Sequence, residues 1–180
     1  RKIFMVVGYH SGTGRTTLIQ SLGTSLSLIN KKILLIDSNF QNNSLSRKYN
    51  ASSFLENFSP VGDVPSIKKM LSSILTDTDD DNIKYIACQG GDYTPHDLLP
   101  SPNIFSILGE AYLDYDYILI DSAAVNKGPD SKELLKYTES IIILFSAENS
   151  LTEDDRNLVE FMKKENVNIL GTVLNKVNSY

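Results

Sequence analysis

The sequence predicts an α/β fold of three layers, in which a doubly wound, mainly parallel sheet is covered by helices on both faces. The first observation is a set of short runs of branched apolar residues without polar alternation, which is typical of strands buried on both faces. These runs are Ile3–Val7, Ile33–Asp37, Tyr117–Asp121, Ile141–Phe145 and Ile169–Asn175, with a weaker candidate in "IKYIAC", residues 83–88. The second observation is that helical patterns separate the runs, so that strands and helices alternate along the chain.

The clearest helical pattern lies between the first two strands, where apolar residues recur at spacings of four, four and three. They are Leu18, Leu22, Leu26 and Ile29, and we expect this stripe to pack on the sheet. Further helices are expected near residues 104–113, 131–137 and 152–165. Ser150 or Thr152 would cap the last of these helices, because either hydroxyl can accept hydrogen bonds from free backbone amides and acidic residues follow.

The composition is that of a single globular domain spanning residues 1–180. Its net charge of −5 and its scattered basic residues argue against nucleic acid or an anionic membrane as the main partner. Cys88 is the single cysteine, which excludes an internal disulfide. No apolar run approaches the roughly 20 residues of a membrane span. Because the chain begins at Arg1, directly before an apolar strand, we expect it to be part of a longer protein.

A glycine-rich segment, "GYHSGTGRTT" (Gly8–Thr17), follows the first strand and begins the first helix. Gly12 and Gly14 allow successive backbone amides to turn inward, and the helix N-terminus adds partial positive charge, so that together they form an anion site. Thr16 is placed to offer a hydroxyl to a magnesium ion. The segment therefore predicts a phosphate-binding loop and a P-loop NTPase-like fold. The alternative is a plain glycine turn between a strand and a helix.

Two aspartates, Asp37 and Asp121, each end an apolar strand. Because the carboxyl ends of parallel strands meet at one edge of such a sheet, we expect both carboxylates to lie beside the glycine-rich loop. A carboxylate in that place can hold magnesium directly or through water. The two residues are therefore predicted to share a metal site with Thr16, and solvated turns are the alternative.

Longer segments of the chain match the motifs of one family. A Walker A loop with its helix corresponds to "GYHSGTGRTTLIQSLGTSLS", a second Walker-type motif to "KKILLIDSNFQNNSLSRKY", and a Walker B strand to "YDYILIDSAAV". A Pro-x-acid-Leu-Leu segment corresponds to "YTPHDLLPSPNIFSIL", and the end of the domain to "NVNILGTVLNKV". Over residues 2–178 the chain resembles the bacterial tyrosine kinase (BY-kinase) domain of polysaccharide copolymerases, one of the deviant P-loop ATPases. Members of this family govern the chain length and the export of capsule or exopolysaccharide.

The resemblance implies that the chain binds ATP or ADP together with magnesium. The amides of Gly12 and Gly14 would hold the β-phosphate, and Arg15 stands where the family has a lysine that neutralises the β- and γ-phosphates. Thr17 would lie near the α-phosphate. The residues predicted to bind the cofactor in this loop are Ser11, Gly12, Thr13, Gly14, Arg15, Thr16 and Thr17.

The same resemblance implies the metal site, the catalytic residues and an adenine contact. Thr16 would ligate magnesium, and Asp37 and Asp121 would support the metal and its waters. These two aspartates and Arg15 are the predicted catalytic residues. Asn175 matches an asparagine that contacts the adenine ring in related ATPases, and a polar residue at a strand end is the alternative interpretation.

Several residues of the predicted site depart from the family pattern. Arg15 replaces the lysine, and its planar fork on a longer side chain does not fit the position of a compact ammonium. Asn39 replaces a second aspartate, and an amide cannot accept the proton of a substrate hydroxyl. Gln41 and Ala124 replace a basic residue and a proline. Because phosphoryl transfer depends on positioning and charge neutralisation, the sequence predicts a nucleotide-binding domain whose tyrosine-kinase or ATPase activity is weak or lost.

The predicted setting is the cytoplasm, at the inner face of the cell membrane in the full-length protein. The resemblance implies two partners: the membrane-spanning part of a polysaccharide copolymerase, and further copies of the full-length protein in a homo-oligomer. This stretch by itself is expected to be monomeric or weakly associated. Two alternatives stay open. One is a non-catalytic interaction scaffold with a decayed nucleotide site, and the other is a partition- or positioning-type ATPase, against which the lack of a signature lysine at His10 counts.

Overall fold

The computed structural model describes residues 2–58, 63–91, 94, 107–109, 113–128 and 130–177. Its strands are β1 (Ile3–Val7), β2 (Ile33–Asp37), β3 (Leu75–Asp77), β4 (Ile83–Ile86), β5 (Tyr117–Asp121), β6 (Ser140–Ser146) and β7 (Ile169–Asn175). Within the described residues they form one sheet of seven strands in the order β3-β4-β2-β5-β1-β6-β7. Neighbouring strands are parallel, except that β3 is antiparallel to β4.

The predicted strands are confirmed. Four of the five clear apolar runs have the predicted bounds, and β6 extends one residue further at each end. The weaker candidate is β4. The sequence does not predict β3, because this strand has only three residues and two of them, Thr76 and Asp77, are polar. It pairs at the edge of the sheet, where a strand needs no continuous apolar run.

The helices of the described residues are α1 (Arg15–Ser27), α2 (Ser44–Lys48), α3 (Val64–Ile74), α4 (Asp130–Leu134) and α5 (Glu153–Lys164). The helices expected at 131–137 and 152–165 are confirmed as α4, continued by a 3-10 turn, and α5. Of the helix expected at 104–113, residues 107–109 are helical and 104–106 and 110–112 lie outside the described residues. Helix α3 was not predicted from the sequence, although its capping residue Asp63 accepts a hydrogen bond from Ser66 N at 3.2 Å. None of these described helices is both long and apolar enough to cross a membrane.

Helices cover both faces of the sheet, as the predicted three layers require. On one face, Met162 of α5 and Leu134 of α4 are buried in an apolar cluster with Met5 of β1. On the other face, Ile19 of α1 is buried in a second cluster with Leu35 of β2. The sheet therefore has an apolar core on each side, and its interior strands are shielded from water on both faces.

Three of the four residues in the apolar stripe predicted for α1 pack on the sheet. Leu18, Leu22 and Leu26 are partly buried against the core cluster that contains Leu35. Ile29 is the exception, because it lies beyond the end of the helix and is 63% exposed. Ile19 and Gly23 are buried more deeply than the predicted stripe, and a Cβ at Gly23 would lie only 3.3 Å from Leu35 Cδ2. The missing side chain lets the helix approach β2 along the Ile19–Gly23 side.

The N-terminus of α5 is closed by a reciprocal pair of residues. Thr152 Oγ1 accepts a hydrogen bond from Asp155 N at 3.2 Å, and the Asp155 carboxylate accepts one from Thr152 N at 2.9 Å. These bonds satisfy two backbone amides that would otherwise lack intrahelical partners. Of the two capping residues that the sequence allowed, Thr152 is the one used, and Ser150 is exposed.

We expect Thr152→Ala to lower the free energy of unfolding by about 1 kcal/mol, because the substitution removes the capping hydroxyl. For a chain of this size the melting temperature should fall by roughly 2–4 °C, which thermal unfolding followed by circular dichroism would measure. Ser150→Ala is the matched control and should leave the melting temperature unchanged. An equal loss in both variants would contradict the capping role of Thr152.

Candidate phosphate-binding site

The glycine-rich loop joins the end of β1 to the start of α1, and two of its glycines have a left-handed backbone. Gly12 has φ 76°, and Gly14, the N-cap of α1, has φ 97° and ψ 24°. A Cβ at Gly14 would collide with Asn175 Nδ2, whereas a Cβ at Gly12 would meet no atom within 4 Å. Glycine is therefore required at position 14 by space as well as by φ, and the loop is open above position 12.

The side chain of Arg15 is folded beneath this loop rather than extended from it. It is 7% exposed. Arg15 Nη1 donates to His10 O at 2.8 Å and to Thr13 Oγ1 at 3.3 Å, and Nε donates to Ser122 O at 3.3 Å. Burial lowers the pKa of Arg15, and the nearby charge of Asp121 opposes that change. The guanidinium stays protonated, as arginine does throughout proteins. Arg15 thus ties the loop to the chain just beyond β5.

Thr16 and Asp121 form the part of the site that suits a divalent cation. Thr16 Oγ1 donates to Asp121 Oδ2 at 2.6 Å. Asp121 Oδ1 is buried and has no hydrogen-bond partner among the residues that the structure describes. Burial and the charge of Asp37 raise the pKa of Asp121 to about 7, against the opposing effects of Thr16 and Arg15. An unsatisfied buried carboxylate oxygen beside a hydroxyl matches the oxygen ligands that magnesium takes.

Asp37 lies next to Asp121 in the sheet, but its carboxylate is bonded within the chain. The register of β2 and β5 pairs Asp37 with Asp121. Asp37 Oδ1 accepts from Asn39 N at 3.0 Å, while Oδ2 accepts from Ser46 N at 2.9 Å and from Ser46 Oγ at 2.7 Å. Tyr85 Oη donates to the same Oδ2 at 3.3 Å. Burial raises the pKa of Asp37, although these hydrogen bonds lower it. Asp37 therefore fixes the chain that follows β2.

The residues that depart from the family pattern after β2 and β5 have structural roles here. Asn39 is buried, and its Oδ1 accepts from Asn42 N at 3.1 Å, which caps a 3-10 turn. Gln41 Nε2 donates to Lys127 O at 3.0 Å across the edge of the sheet. Ala124 has φ −67°, a value that proline also adopts.

Asn175, at the end of β7, contacts the loop directly. Its Nδ2 donates to Thr13 O at 2.9 Å. The predicted contact with an adenine ring stays a prediction. The remaining loop residues divide by exposure: Ser11, Gly12 and Thr17 face solvent, where a ligand could reach them, and Thr13 is buried.

A cleft with a volume of about 560 Å³ lies beside the loop. Its lining consists of polar side chains from three connections at the carboxyl edge of the sheet, namely His10, Ser11, Asn126, Lys127, Asn149, Ser150 and Thr152. His10 Nε2 lies 3.6 Å from Asp155 Oδ2, so the loop also meets the first turn of α5. This cleft provides room next to the loop for a bound molecule.

The structure brings together most of the predicted site and adds supporting residues that the sequence analysis missed. Ser122, Ser46 and Tyr85 contribute groups that hold Arg15 and Asp37. Ser122 directly follows the predicted Asp121, which was an available signal. Ser46 and Tyr85 lie 9 and 48 residues from Asp37, and no local pattern links them to it.

Comparisons with known proteins agree with this geometry. Residues 4–180 match the family described as the CobQ/CobB/MinD/ParA nucleotide binding domain. The putative tyrosine-protein kinase CapB of Staphylococcus aureus is 20% identical over 176 residues, which cover 98% of this chain and 75% of CapB. The septum site-determining protein MinD of Bacillus subtilis is 26% identical over 176 residues, which cover 94% of this chain and 62% of MinD. The kinase domain of the Escherichia coli tyrosine kinase ETK has a TM-score of 0.80 at 17% identity and covers 100% of this chain and 69% of that one.

These similarities bear on the expectations from the sequence. The fold, a mostly parallel sheet between helices as in P-loop NTPases, is confirmed. The resemblance to bacterial tyrosine kinases is also confirmed, since the kinase relative matches along nearly the whole chain. Because the family match includes the glycine-rich loop and both strand-end aspartates, the chain belongs to the CobQ/CobB/MinD/ParA nucleotide binding domain family.

Proposed function

We propose that this chain is a nucleotide-binding, tyrosine-kinase-like domain of a capsule or exopolysaccharide synthesis protein, with weak or lost catalysis. One observation carries the proposal: Gly12 and Gly14 give the loop a left-handed backbone at the start of α1, while Arg15 and Asn39 are bonded to the chain itself. The similarity to CapB supports the kinase-like assignment. The motifs shared with polysaccharide copolymerases support the setting in polysaccharide synthesis and export.

The residues of the site fit a nucleotide with magnesium. The backbone of Gly12 is exposed and unobstructed, and Gly14 begins α1 with the partial positive charge of its N-terminus. Thr16 and the unpaired Oδ1 of Asp121 are the residues that would hold the metal. When bound, magnesium would neutralise charge on the phosphate oxygens. Asn175, already against the loop, would border the nucleoside.

Weak catalysis follows from how the other predicted catalytic groups are used. Transfer of a phosphoryl group to a hydroxyl needs a group that accepts the proton. Asn39 cannot accept it as an aspartate would, and both oxygens of Asp37 already accept hydrogen bonds from the chain. In this proposal Asp37 positions the segment after β2, and Asp121 is the remaining carboxylate with a free acceptor.

The proposed setting is the inner face of the cell membrane, next to the membrane-spanning part of a polysaccharide copolymerase and in a homo-oligomer of the full-length protein. A second candidate function is a non-catalytic interaction scaffold. The observation that favours it is the complete internal bonding of Asp37, which leaves the metal fewer ligands than the sequence predicted. Nucleotide binding separates the two candidates, because a scaffold with a decayed site would bind none.

We expect calorimetric titration of MgADP into this chain to give a dissociation constant in the micromolar range, and Gly14→Ala to weaken binding by about tenfold or more. The added Cβ would collide with Asn175 Nδ2 and would force a non-glycine residue to φ 97°. Gly171→Ala is the matched control, because a Cβ at Gly171 meets no atom within 4 Å. Absence of binding by the unmodified protein at near-millimolar nucleotide would contradict the proposed function.

We expect Asp121→Asn to abolish magnesium-dependent binding and to raise the melting temperature of the metal-free protein at pH 8. The pKa of Asp121 is about 7 in the folded state and about 3.9 in an unfolded chain. The folded state therefore holds this proton more tightly, so stability falls as the pH rises from about 4 to about 7. The neutral amide removes that penalty. We therefore expect the free energy of unfolding to rise by about 1 kcal/mol at pH 8, which raises the melting temperature by roughly 2–4 °C, and we expect both differences to disappear towards pH 4.

The measurement is thermal unfolding in a chelating buffer at several values between pH 4 and pH 8. Asp79→Asn, at an exposed acidic position, is the control and should not change the melting temperature. A lower melting temperature for Asp121→Asn than for the unmodified protein at pH 8 would show that the Asp121 carboxylate is stabilising rather than costly.

A further inference from the structure

We propose that this site retains nucleoside diphosphates at least as tightly as triphosphates, because Arg15 is held beneath the loop and cannot serve a terminal phosphate. This inference rests on the proposed nucleotide-binding function. In a phosphate-binding loop with lysine, the ammonium reaches the β- and γ-phosphates. Arg15 occupies the same place in the sequence and makes different contacts.

The hydrogen bonds of Arg15 hold its guanidinium at two points. Nε donates to Ser122 O, and Nη1 donates to both His10 O and Thr13 Oγ1. A Cβ added at Gly8 would lie 3.3 Å from Nη1, so the guanidinium is packed against the start of the loop. Because the guanidinium is planar, fixing two of its nitrogens fixes its orientation. Withdrawing it would leave the buried carbonyl of Ser122 and the partly buried carbonyl of His10 without this donor, which costs free energy.

The charges around the site favour a β-phosphate over the loop and disfavour a γ-phosphate beyond it. A β-phosphate would meet the loop amides, with the charge of Arg15 directly beneath them. A terminal phosphate would lie towards the metal ligands, where Asp121 and Asp37 are paired in register. Asn39, also on that side, uses its side-chain oxygen to cap a turn. A third phosphate therefore adds negative charge beside two carboxylates and gains no fixed cation from Arg15.

The experiment is calorimetric titration of this chain with MgADP and with a non-hydrolysable analogue of MgATP. We expect the diphosphate to bind at least as tightly as the triphosphate analogue. Arg15→Lys keeps the positive charge but places it on a flexible ammonium instead of the planar guanidinium. We therefore expect this substitution to shift the ratio of the two affinities by about tenfold towards the triphosphate. Arg47→Lys, at an exposed arginine of α2, is the matched control and should leave the ratio unchanged.

The outcomes separate this inference from the function on which it rests. Binding of neither nucleotide would overturn both the proposed function and the inference. Tighter binding of the triphosphate analogue than of the diphosphate by the unmodified protein would overturn the inference alone, and this result needs no variant to fold. An unchanged ratio in a folded Arg15→Lys protein, checked by circular dichroism, would also overturn it, because Arg15 would then not determine the preference.

Discussion

The placement of two buried carboxylates side by side is the constraint on which the rest of this site depends. Parallel pairing of β2 with β5 brings Asp37 next to Asp121 at the carboxyl edge of the sheet, where both side chains are buried. Two neighbouring charges away from water are costly unless hydrogen bonds or cations offset them. Ser46 and the turn after β2 stabilise Asp37, and Thr16 stabilises one oxygen of Asp121. The second oxygen of Asp121 has no hydrogen-bond partner among the residues that the structure describes.

The glycine-rich loop and the segment after β2 are held in shape by side chains that bond within the chain. In an active site, neighbouring hydrogen bonds hold the side chains around a bound phosphate, which still direct a donor or a charge at it. Here Arg15 and Asn39 have been drawn into the hydrogen bonding of the loop and of the first turn after β2. Both side chains therefore contribute to the local structure of the loop and of the turn.

The sequence predicts the sheet well and the site only in outline. Central strands such as β1 and β2 are buried on both faces, so their apolar runs mark their bounds directly. The orientation of α1 depends instead on Gly23, whose effect appears only when the distance to Leu35 is known. In the same way, the pattern indicated that Asp37 lies at the edge of the sheet. It did not indicate which partners bind its oxygens, because Tyr85 comes from a different strand.

The hydrogen bond between Asn175 and Thr13 joins the phosphate-binding loop to a strand at the border of the sheet. Within the described part of the chain, β7 pairs with β6 alone, and border strands open more readily than central ones. Each opening of this strand would remove a support from the loop, so the loop's order depends on one of the less protected parts of the fold. Conversely, an anion that fixes the loop would slow amide exchange in β7. Slower amide exchange at the border of the sheet would then indicate that the phosphate-binding loop is occupied.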